Sequence, residues 1–162
     1  MDVLWAGWRS AYMAEVQTEP ASDACLFCEL PSGEDETTYL LERGEHAYSV
    51  LNLYPYTSGH LMITPYRHIA TAADFIREEQ GDLWRLLTRS QAALDSVVEP
   101  HGYNLGVNQG RAGGAGVLGH FHLHVVPRWD GDANFMTATA NARILPEPLR
   151  DTWGRLRTAL GS

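Results

Sequence analysis

Three histidines recur at every second position in residues 119–127, which read GHFHLHVVP. On an extended strand, successive side chains point to opposite faces of a sheet. His120, His122 and His124 are therefore expected to share one face, while the apolar residues between them pack on a core. Three imidazoles along roughly 13 Å of strand are poor core material, because each ring has two nitrogens that need partners. The spacing predicts a row of histidines that faces a site.

The histidine row is compatible with three roles. The rings could form a solvated strand face, they could all coordinate one metal ion, or they could divide between a structural task and a chemical one. The preceding residues 110–119 contain five glycines and are expected to form a loop. Glycine lets backbone N–H groups approach a phosphate closely, because no side chain stands in the way. The loop and the histidines together favour chemistry on a phosphate group.

The chain contains two cysteines, Cys25 and Cys28, in a C-x-x-C spacing. In an intracellular chain this spacing is more typical of a metal site or a redox pair than of a structural disulfide. No thioredoxin-like βαβ pattern surrounds the pair, which disfavours the redox interpretation. The two thiols are therefore half of a candidate zinc site.

Hydrophobic periodicity predicts an α+β fold. Apolar residues at three- and four-residue steps predict helices, and alternating or short apolar runs predict strands. The predicted helices span residues 4–16, 79–98 and 146–160, and the predicted strands span residues 38–43, 47–53, 60–64, 103–108 and 119–126. The strands are linked by short connections, which favours antiparallel pairing. Antiparallel strands combined with separate helices are typical of the α+β class.

Length, composition and charge restrict the class of protein. The 162 residues are 44% hydrophobic and 20% charged, which predicts one folded domain with a substantial core. The sequence has no apolar run near the roughly 20 residues that cross a bilayer and no signal-peptide pattern in its first ten residues, which predicts a cytoplasmic protein without a membrane partner. The net charge of −8 disfavours a nucleic-acid partner, which usually needs a basic face. A phosphate ligand is still allowed, because a site is local.

The histidine row resembles the signature of the histidine triad superfamily. The resemblance extends to other segments: residues 4–9 (LWAGWR), 51–55 (LNLYP), 59–65 (GHLMITP), 127–129 (PRW) and 131–135 (GDANF). It covers residues 4–136, which is most of the chain. The N-terminal segment and the two segments after the triad are similar to the diadenosine polyphosphate hydrolase and phosphorylase branch of that superfamily.

The resemblance implies the histidine triad (HIT) fold, an antiparallel sheet of about five strands with a long helix and with N- and C-terminal helices. It implies a single HIT domain over residues 1–162, with an N-terminal helix and zinc-binding segment in residues 1–30, the core in 38–136 and the C-terminal helix in 146–160. It also implies a homodimer whose central sheets pair across a two-fold axis.

The resemblance further implies the catalytic residues. His122 matches the family nucleophile, which attacks the α-phosphorus of a nucleotide and forms a nucleotidyl-histidine intermediate. Its unperturbed pKa of about 6.5 leaves a nitrogen lone pair near neutral pH. His124 matches the residue that contacts the phosphate and assists the leaving group, and His60 matches a further active-site histidine.

The implied substrate-binding residues come from two segments. Asn52 matches the position that meets the ribose hydroxyls, and Asn108 matches a polar residue at the phosphate end of the site. The full implied set is Asn52, Leu53, Asn108, Gly114, Ala115, Gly116 and His124. Many family members carry a Ser or Gln shortly before the first histidine, where this chain has residues 116–119 (GVLG). Backbone N–H groups of the loop, or Arg111, are expected to replace that donor.

Some family members bind zinc through four positions that are all filled in this chain. The resemblance implies Cys25, Cys28, His68 and His120 as the ligands of a structural Zn²⁺, since two thiolates and two imidazoles form a closed tetrahedral site. Any Mg²⁺ is expected to arrive with a nucleotide substrate, because the sequence has no dedicated carboxylate cluster.

The implied reaction is cleavage of a dinucleoside polyphosphate, such as diadenosine tetraphosphate, at an α-phosphate. Water or inorganic phosphate would then resolve the nucleotidyl-histidine, which makes the enzyme a hydrolase or a phosphorylase. Two alternatives remain. One is a nucleoside phosphoramidate hydrolase, which the segments 128–129 and 134–135 disfavour. The other is a nucleotide-binding regulatory protein with little turnover, which the intact triad disfavours.

Overall fold

The structure is a computed structural model that describes residues 25–132 and 147–161. The predicted helix at residues 4–16 and the motif residues 133–135 lie outside the described residues. The helices and strands follow the order α1 (Leu26–Glu29), α2 (Asp35–Thr38), β1 (Leu40–Arg43), β2 (Ala47–Leu51), β3 (Leu61–Pro65), α3 (Arg77–Val98), β4 (Gly102–Val107), β5 (Leu123–Arg128) and α4 (Leu149–Leu160). Short 3-10 turns occupy Leu30–Ser32 and Ala72–Asp74.

The five strands form one sheet in the order β1-β2-β3-β5-β4, and every neighbouring pair is antiparallel. Strand β2 lies inside the sheet, and all five of its residues are buried. The predicted α+β class and antiparallel sheet are confirmed. Strands β1 to β4 lie within two residues of their predicted bounds.

Helices α3 and α4 cover one face of the sheet. Helix α3 begins after Ile76, whose N–H donates to the Glu79 carboxylate at 3.0 Å, and it ends at Glu99, where φ is +46°. The core between helices and sheet is apolar, with main contributors Leu41, Leu51, Leu61, Ile63, Leu83, Leu86, Leu87, Leu94, Phe121, Val125, Leu156 and Leu160. Helix α4 begins at Leu149, later than the predicted start at residue 146, because Pro148 has an extended backbone with φ −61° and ψ 146°.

The second face of the sheet carries a smaller cluster, Leu40, Tyr48 and Val50, with Leu30, Met62 and Tyr66 packed against it. The short helix α1 lies over this face. Its Phe27 is buried, and the hydroxyl of Tyr48 donates to the Phe27 carbonyl at 2.6 Å. The segment that carries both cysteines is thereby held against the sheet.

The histidine segment joins the sheet later than its alternation predicts. A strand was expected over residues 119–126, whereas β5 begins at Leu123. In the β3–β5 register Ile63 stands opposite Leu123, so the next position for pairing would place Pro65 opposite Phe121. Proline has no N–H to contribute to a ladder, so the pairing stops there.

The backbone of Phe121 bonds elsewhere instead. Its N–H donates to the Ile69 carbonyl at 2.6 Å, and its carbonyl accepts from the Thr64 hydroxyl at 2.7 Å. His120 and His122 therefore precede the strand, and only the third histidine of the row lies within it.

Strand β4 forms one edge of the sheet. Leu105 and Val107 on this strand are 45% and 38% exposed, and Trp84 on α3, at an apolar position of the predicted helix, is 61% exposed. None of the helices in residues 25–132 and 147–161 combines the length and apolar character needed to cross a bilayer.

Candidate active site and metal centre

The three histidines share the face of the sheet opposite α3, as the alternation predicts. The ring of Phe27 contacts His120 and His122, with centroids 5.5 and 5.0 Å apart, and the rings of His122 and His124 lie 5.0 Å apart. The intervening Phe121 belongs to the core on the other side. The histidines therefore form one continuous row under helix α1.

His122 is held in one tautomer. Its Nδ1 lies 2.9 Å from the carbonyl oxygen of His120, and a carbonyl can only accept, so Nδ1 carries the proton. Burial lowers the pKa of His122 below its usual 6.5, against the opposing effect of that hydrogen bond. The ring is therefore neutral at pH 7, and Nε2 holds a free lone pair suited to nucleophilic attack.

His60 and His124 form a second, linked pair. The backbone N–H of Tyr56 donates to Nδ1 of His60 at 3.0 Å, so the proton of the His60 ring sits on Nε2. That Nε2 lies 3.0 Å from Nδ1 of His124, which accepts. The proton of the neutral His124 ring is therefore on Nε2, where it is available as a hydrogen-bond donor.

Burial keeps His124 uncharged. Together with a smaller effect of the neighbouring His122, it lowers the pKa of His124 from 6.5 to about 4. At neutral pH the row therefore offers one nucleophilic nitrogen, on His122, and one N–H donor, on His124.

Asn52 lies beside this pair. Its Oδ1 accepts from the N–H of Tyr54 at 3.0 Å, which turns the amide nitrogen toward Nδ1 of His60 at 3.3 Å. The structure thus brings Asn52 to the histidines, where it helps to orient His60. Leu53, predicted to bind substrate, is 60% exposed in the same loop.

Tyr56 is a site residue that sequence reasoning missed. Its ring stacks on His60 with centroids 4.7 Å apart, and it also lies 6.2 Å from the His124 ring. The aromatic loop YPY at residues 54–56, four residues before His60, is the signal that could have indicated it.

The glycine-rich loop runs from the end of β4 to the histidine row. A Cβ at Gly113 would lie 2.4 Å from the Gln109 carbonyl oxygen, so this turn requires glycine. The N–H of Gly114 donates to the Arg111 carbonyl at 3.0 Å, and that of Ala115 donates to the Gly110 carbonyl at 3.3 Å. Two of the loop amides expected to meet a phosphate are thus used within the loop.

The other predicted loop residues are placed as follows. Asn108 follows directly after β4 and is half-buried, as is Gly116, while Arg111 is exposed. Because Val107 pairs with Leu123, both ends of the loop lie beside the start of β5. The loop therefore borders the part of the site nearest His122.

The four predicted metal ligands meet in one cluster. Their ligand atoms all lie within 4.8 Å of one another. Nδ1 of His120 lies 3.3 Å from Sγ of Cys25 and 3.5 Å from Sγ of Cys28, and Nδ1 of His68 lies 3.3 Å from Sγ of Cys28. Two ligands of a tetrahedral zinc ion would be about 3.6 Å apart, so the spacing fits a metal.

The tautomer of His120 also suits this role. Its Nε2 donates to the Pro65 carbonyl at 2.9 Å, which leaves the Nδ1 lone pair directed at the two thiols. Burial lowers the pKa of His120, which favours the neutral ring that a metal requires. The carbonyl of His120 also accepts the hydrogen bond that orients His122. His120 therefore belongs to the metal cluster and also positions the neighbouring histidine of the row.

Comparisons with known proteins agree with this arrangement. The HIT domain family model matches residues 33–131. The chain is 41% identical over 160 residues to AP-4-A phosphorylase of Mycobacterium tuberculosis, covering 96% of this chain and 82% of that protein. It is 33% identical over 117 residues to an uncharacterised HIT-like protein of Mycoplasma genitalium, covering 70% of this chain and 79% of that protein.

The fold matches solved structures as well. A Zn-bound histidine triad family protein from Mycobacterium smegmatis superimposes with a TM-score of 0.69 at 28% identity, covering 87% of this chain and 96% of that chain. The family model spans more than half of the 162 residues, and it includes the whole histidine row. On these grounds the chain belongs to the histidine triad (HIT) family.

Proposed function

We propose that this protein cleaves dinucleoside polyphosphates such as diadenosine tetraphosphate at an α-phosphate, through a nucleotide covalently bound to His122, and that inorganic phosphate resolves this intermediate. The hydrogen bond from Nδ1 of His122 to the His120 carbonyl carries the proposal, because it leaves Nε2 as a nucleophile. The relative named AP-4-A phosphorylase supports this substrate class and phosphate as the second acceptor.

In the first step Nε2 of His122 attacks the α-phosphorus. The bond from phosphorus to the bridging oxygen breaks, and its electron pair stays on the leaving phosphate. Nε2–H of His124 donates a hydrogen bond to that oxygen and stabilises its charge. The leaving group is a phosphate that is stable as an anion at neutral pH, so the neutral His124 ring does not have to give up its proton.

The intermediate carries a positive imidazole ring, since both nitrogens of His122 are then bonded. The His120 carbonyl at 2.9 Å remains the acceptor for the Nδ1 proton and stabilises this charge. In the second step a phosphate oxygen attacks the same phosphorus, and His122 leaves with its lone pair restored on Nε2. Attack by water would give the hydrolase product instead.

The substrate-binding residues divide between two loops in this proposal. Asn52 and Leu53 border the nucleoside, with one amide hydrogen of Asn52 still available after its bond to His60. Asn108, the N–H of Gly116 and the exposed Arg111 border the phosphates. Gly114 and Ala115 contribute by shaping the loop, since their N–H groups are used within it.

We propose Zn²⁺ as the metal held by Cys25, Cys28, His68 and His120, because the two-thiol, two-imidazole donor set suits zinc. Bound zinc would supply cross-links between helix α1, the segment after β3 and the histidine row. These bonds would fix His120, and with it the carbonyl that holds His122. Any Mg²⁺ is expected to enter with the substrate phosphates.

We also propose that two copies pair along the edge strand β4. Leu105 and Val107 leave apolar surface exposed on this strand, and a second copy would cover it and complete its hydrogen bonding. That residues 1–162 form a single domain and that the protein is cytoplasmic remain predictions.

The proposed reaction is tested with diadenosine tetraphosphate labelled at the α-phosphate, incubated with and without inorganic phosphate. ADP plus ATP, formed only with phosphate, is expected from the wild type. Quenching in alkaline denaturant, in which a phosphorus–nitrogen bond survives, should trap label on the protein. His122→Ala should give neither product nor trapped label. His46→Ala, at a histidine outside the row, is the matched control and should retain both.

Three results would contradict the proposal. AMP plus ATP in either buffer would replace the phosphorylase by a hydrolase and leave the first step intact. Equal product from His122→Ala would exclude the covalent step, and no product from the wild type would exclude the proposed reaction.

A further inference from the structure

Gly106 lies inside strand β4, directly opposite His124 on β5. The β4–β5 register runs without interruption from Gly102 to Val107, so Gly106 does not mark a bulge. Its φ is not positive, so the backbone does not require glycine at this position. Glycine inside a strand costs stability, and it is expected where something else must come close to the backbone.

The space that a side chain at Gly106 would fill is open. A Cβ there would meet no atom of residues 25–132 and 147–161 within 4 Å, and the residue is exposed. Directly opposed residues of an antiparallel pair point to the same face, with Cβ atoms about 5 Å apart. The opening therefore lies beside the His124 ring, on the face that carries the histidine row.

The other sides of His124 are occupied. Met62 stands opposite it on β3, and Nε2 of His60 lies 3.0 Å from its Nδ1. The ring of Tyr56 lies 6.2 Å away, and the ring of His122 lies 5.0 Å away along the segment. The described residues around His124 therefore leave open the space above Gly106, on the face of β4 and not at the edge along which a second copy is proposed to pair.

We propose that Gly106 determines specificity for the leaving group. Because it has no side chain, it leaves room for the second nucleotide of a dinucleoside polyphosphate to pass over strand β4. This inference rests on the proposed function, in which His124 donates to the bridging oxygen. The chain beyond that oxygen, a triphosphate with its nucleoside, must continue from His124 into open space. A side chain at position 106 would stand in that path, whereas the α-phosphate at His122 would be unaffected.

The bonds that change are those of the first step. Nε2 of His122 bonds to phosphorus, the bond to the leaving oxygen breaks, and the electron pair departs with the leaving group. Gly106 does not take part in this exchange. Its effect therefore depends on the size of the leaving group and vanishes for a small one.

The test compares two substrates that share the adenylyl group. Diadenosine tetraphosphate has a large leaving group, and adenosine 5′-phosphofluoridate releases only fluoride. Gly106→Val should lower kcat/KM for the first by about tenfold or more, since a displacement of about 1 Å is enough to cost that much. It should leave kcat/KM for the second within about twofold, and Gly106→Ala should give an intermediate effect on the first.

Gly102→Val is the matched control. Gly102 lies on the same strand and the same face, opposite Arg128, and a Cβ there also meets no described atom within 4 Å. This substitution should leave kcat/KM unchanged for both substrates. Light scattering on each variant separates an effect on subunit pairing from an effect on the leaving group.

The outcomes separate this inference from the proposed function. Equal losses for both substrates, or no loss for either, would overturn the role of Gly106 while leaving the chemistry at His122 intact. A wild type that turns over phosphofluoridate but not diadenosine tetraphosphate would overturn the proposed substrate class. A wild type inert toward both would overturn the proposed reaction itself.

Discussion

The neutral, buried state of His124 predicts that the protein loses stability in mild acid. Its pKa is lowered from 6.5 to about 4 in the folded protein by burial, and it returns to its usual value in the unfolded chain. Between these two values the unfolded chain binds a proton that the folded protein does not. The contribution of His124 to the free energy of unfolding should therefore be fully present above pH 6.5, decrease between pH 6.5 and 4, and be lost below pH 4.

The magnitude follows from the two pKa values. Each pH unit inside this window costs about 1.4 kcal/mol for one proton. Going from pH 7 to pH 5 should therefore remove about 2 kcal/mol of stability through His124, and reaching pH 4 should remove about 3 kcal/mol.

The assay is urea unfolding of the wild type and of His124→Asn at pH 7 and pH 5, with metal content matched. Asparagine retains an acceptor for Nε2–H of His60 but has no proton to bind. The wild type should lose about 2 kcal/mol more than the variant over this interval. Equal losses of unfolding free energy in the two proteins would refute the argument that burial keeps this ring neutral. So would an NMR titration that gives the His124 ring a pKa near 6.5.

Two further predictions concern the metal and the subunit contact. Cys28→Ser removes one of four ligands and should lose zinc on dialysis, whereas the wild type should retain about one ion per chain by mass spectrometry. Full retention by the variant would exclude Cys28 as a ligand. Val107→Lys places a charge on the exposed edge strand and should shift the protein toward monomer in light scattering. A dimer of unchanged stability would place the contact elsewhere.

The fold was largely predictable because the sequence alternates apolar and polar residues with the period of each element. Helix α3 and strands β1 to β4 appear within two residues of their expected bounds. The shared face of the histidine row was predictable for the same reason, since the side-chain alternation continues before the strand begins. The grouping of Cys25 and Cys28 with His68 and His120 came from the family resemblance.

The rest depends on contacts that spacing does not encode. The tautomer of His124 follows from a backbone N–H of Tyr56, four residues before His60, and no pattern in the sequence reveals where that amide points. The N–H groups of Gly114 and Ala115 were expected to meet phosphate, but the loop folds on itself and uses them. Glycine content predicts that a backbone can approach a ligand, not which of its amides remain available.

Pro65 has no polar side chain, yet it decides how much of the histidine segment belongs to the sheet. A residue with an N–H at this position would allow pairing to continue toward Phe121 and compete with Thr64 for its carbonyl. Its own carbonyl also orients His120. A substitution at Pro65 would therefore move His120, whose carbonyl holds Nδ1 of His122. It would change the orientation and the basicity of His122 without replacing any reactive group. Pro65 thus ends the regular pairing of the sheet and leaves the backbone of the first two histidines outside the ladder.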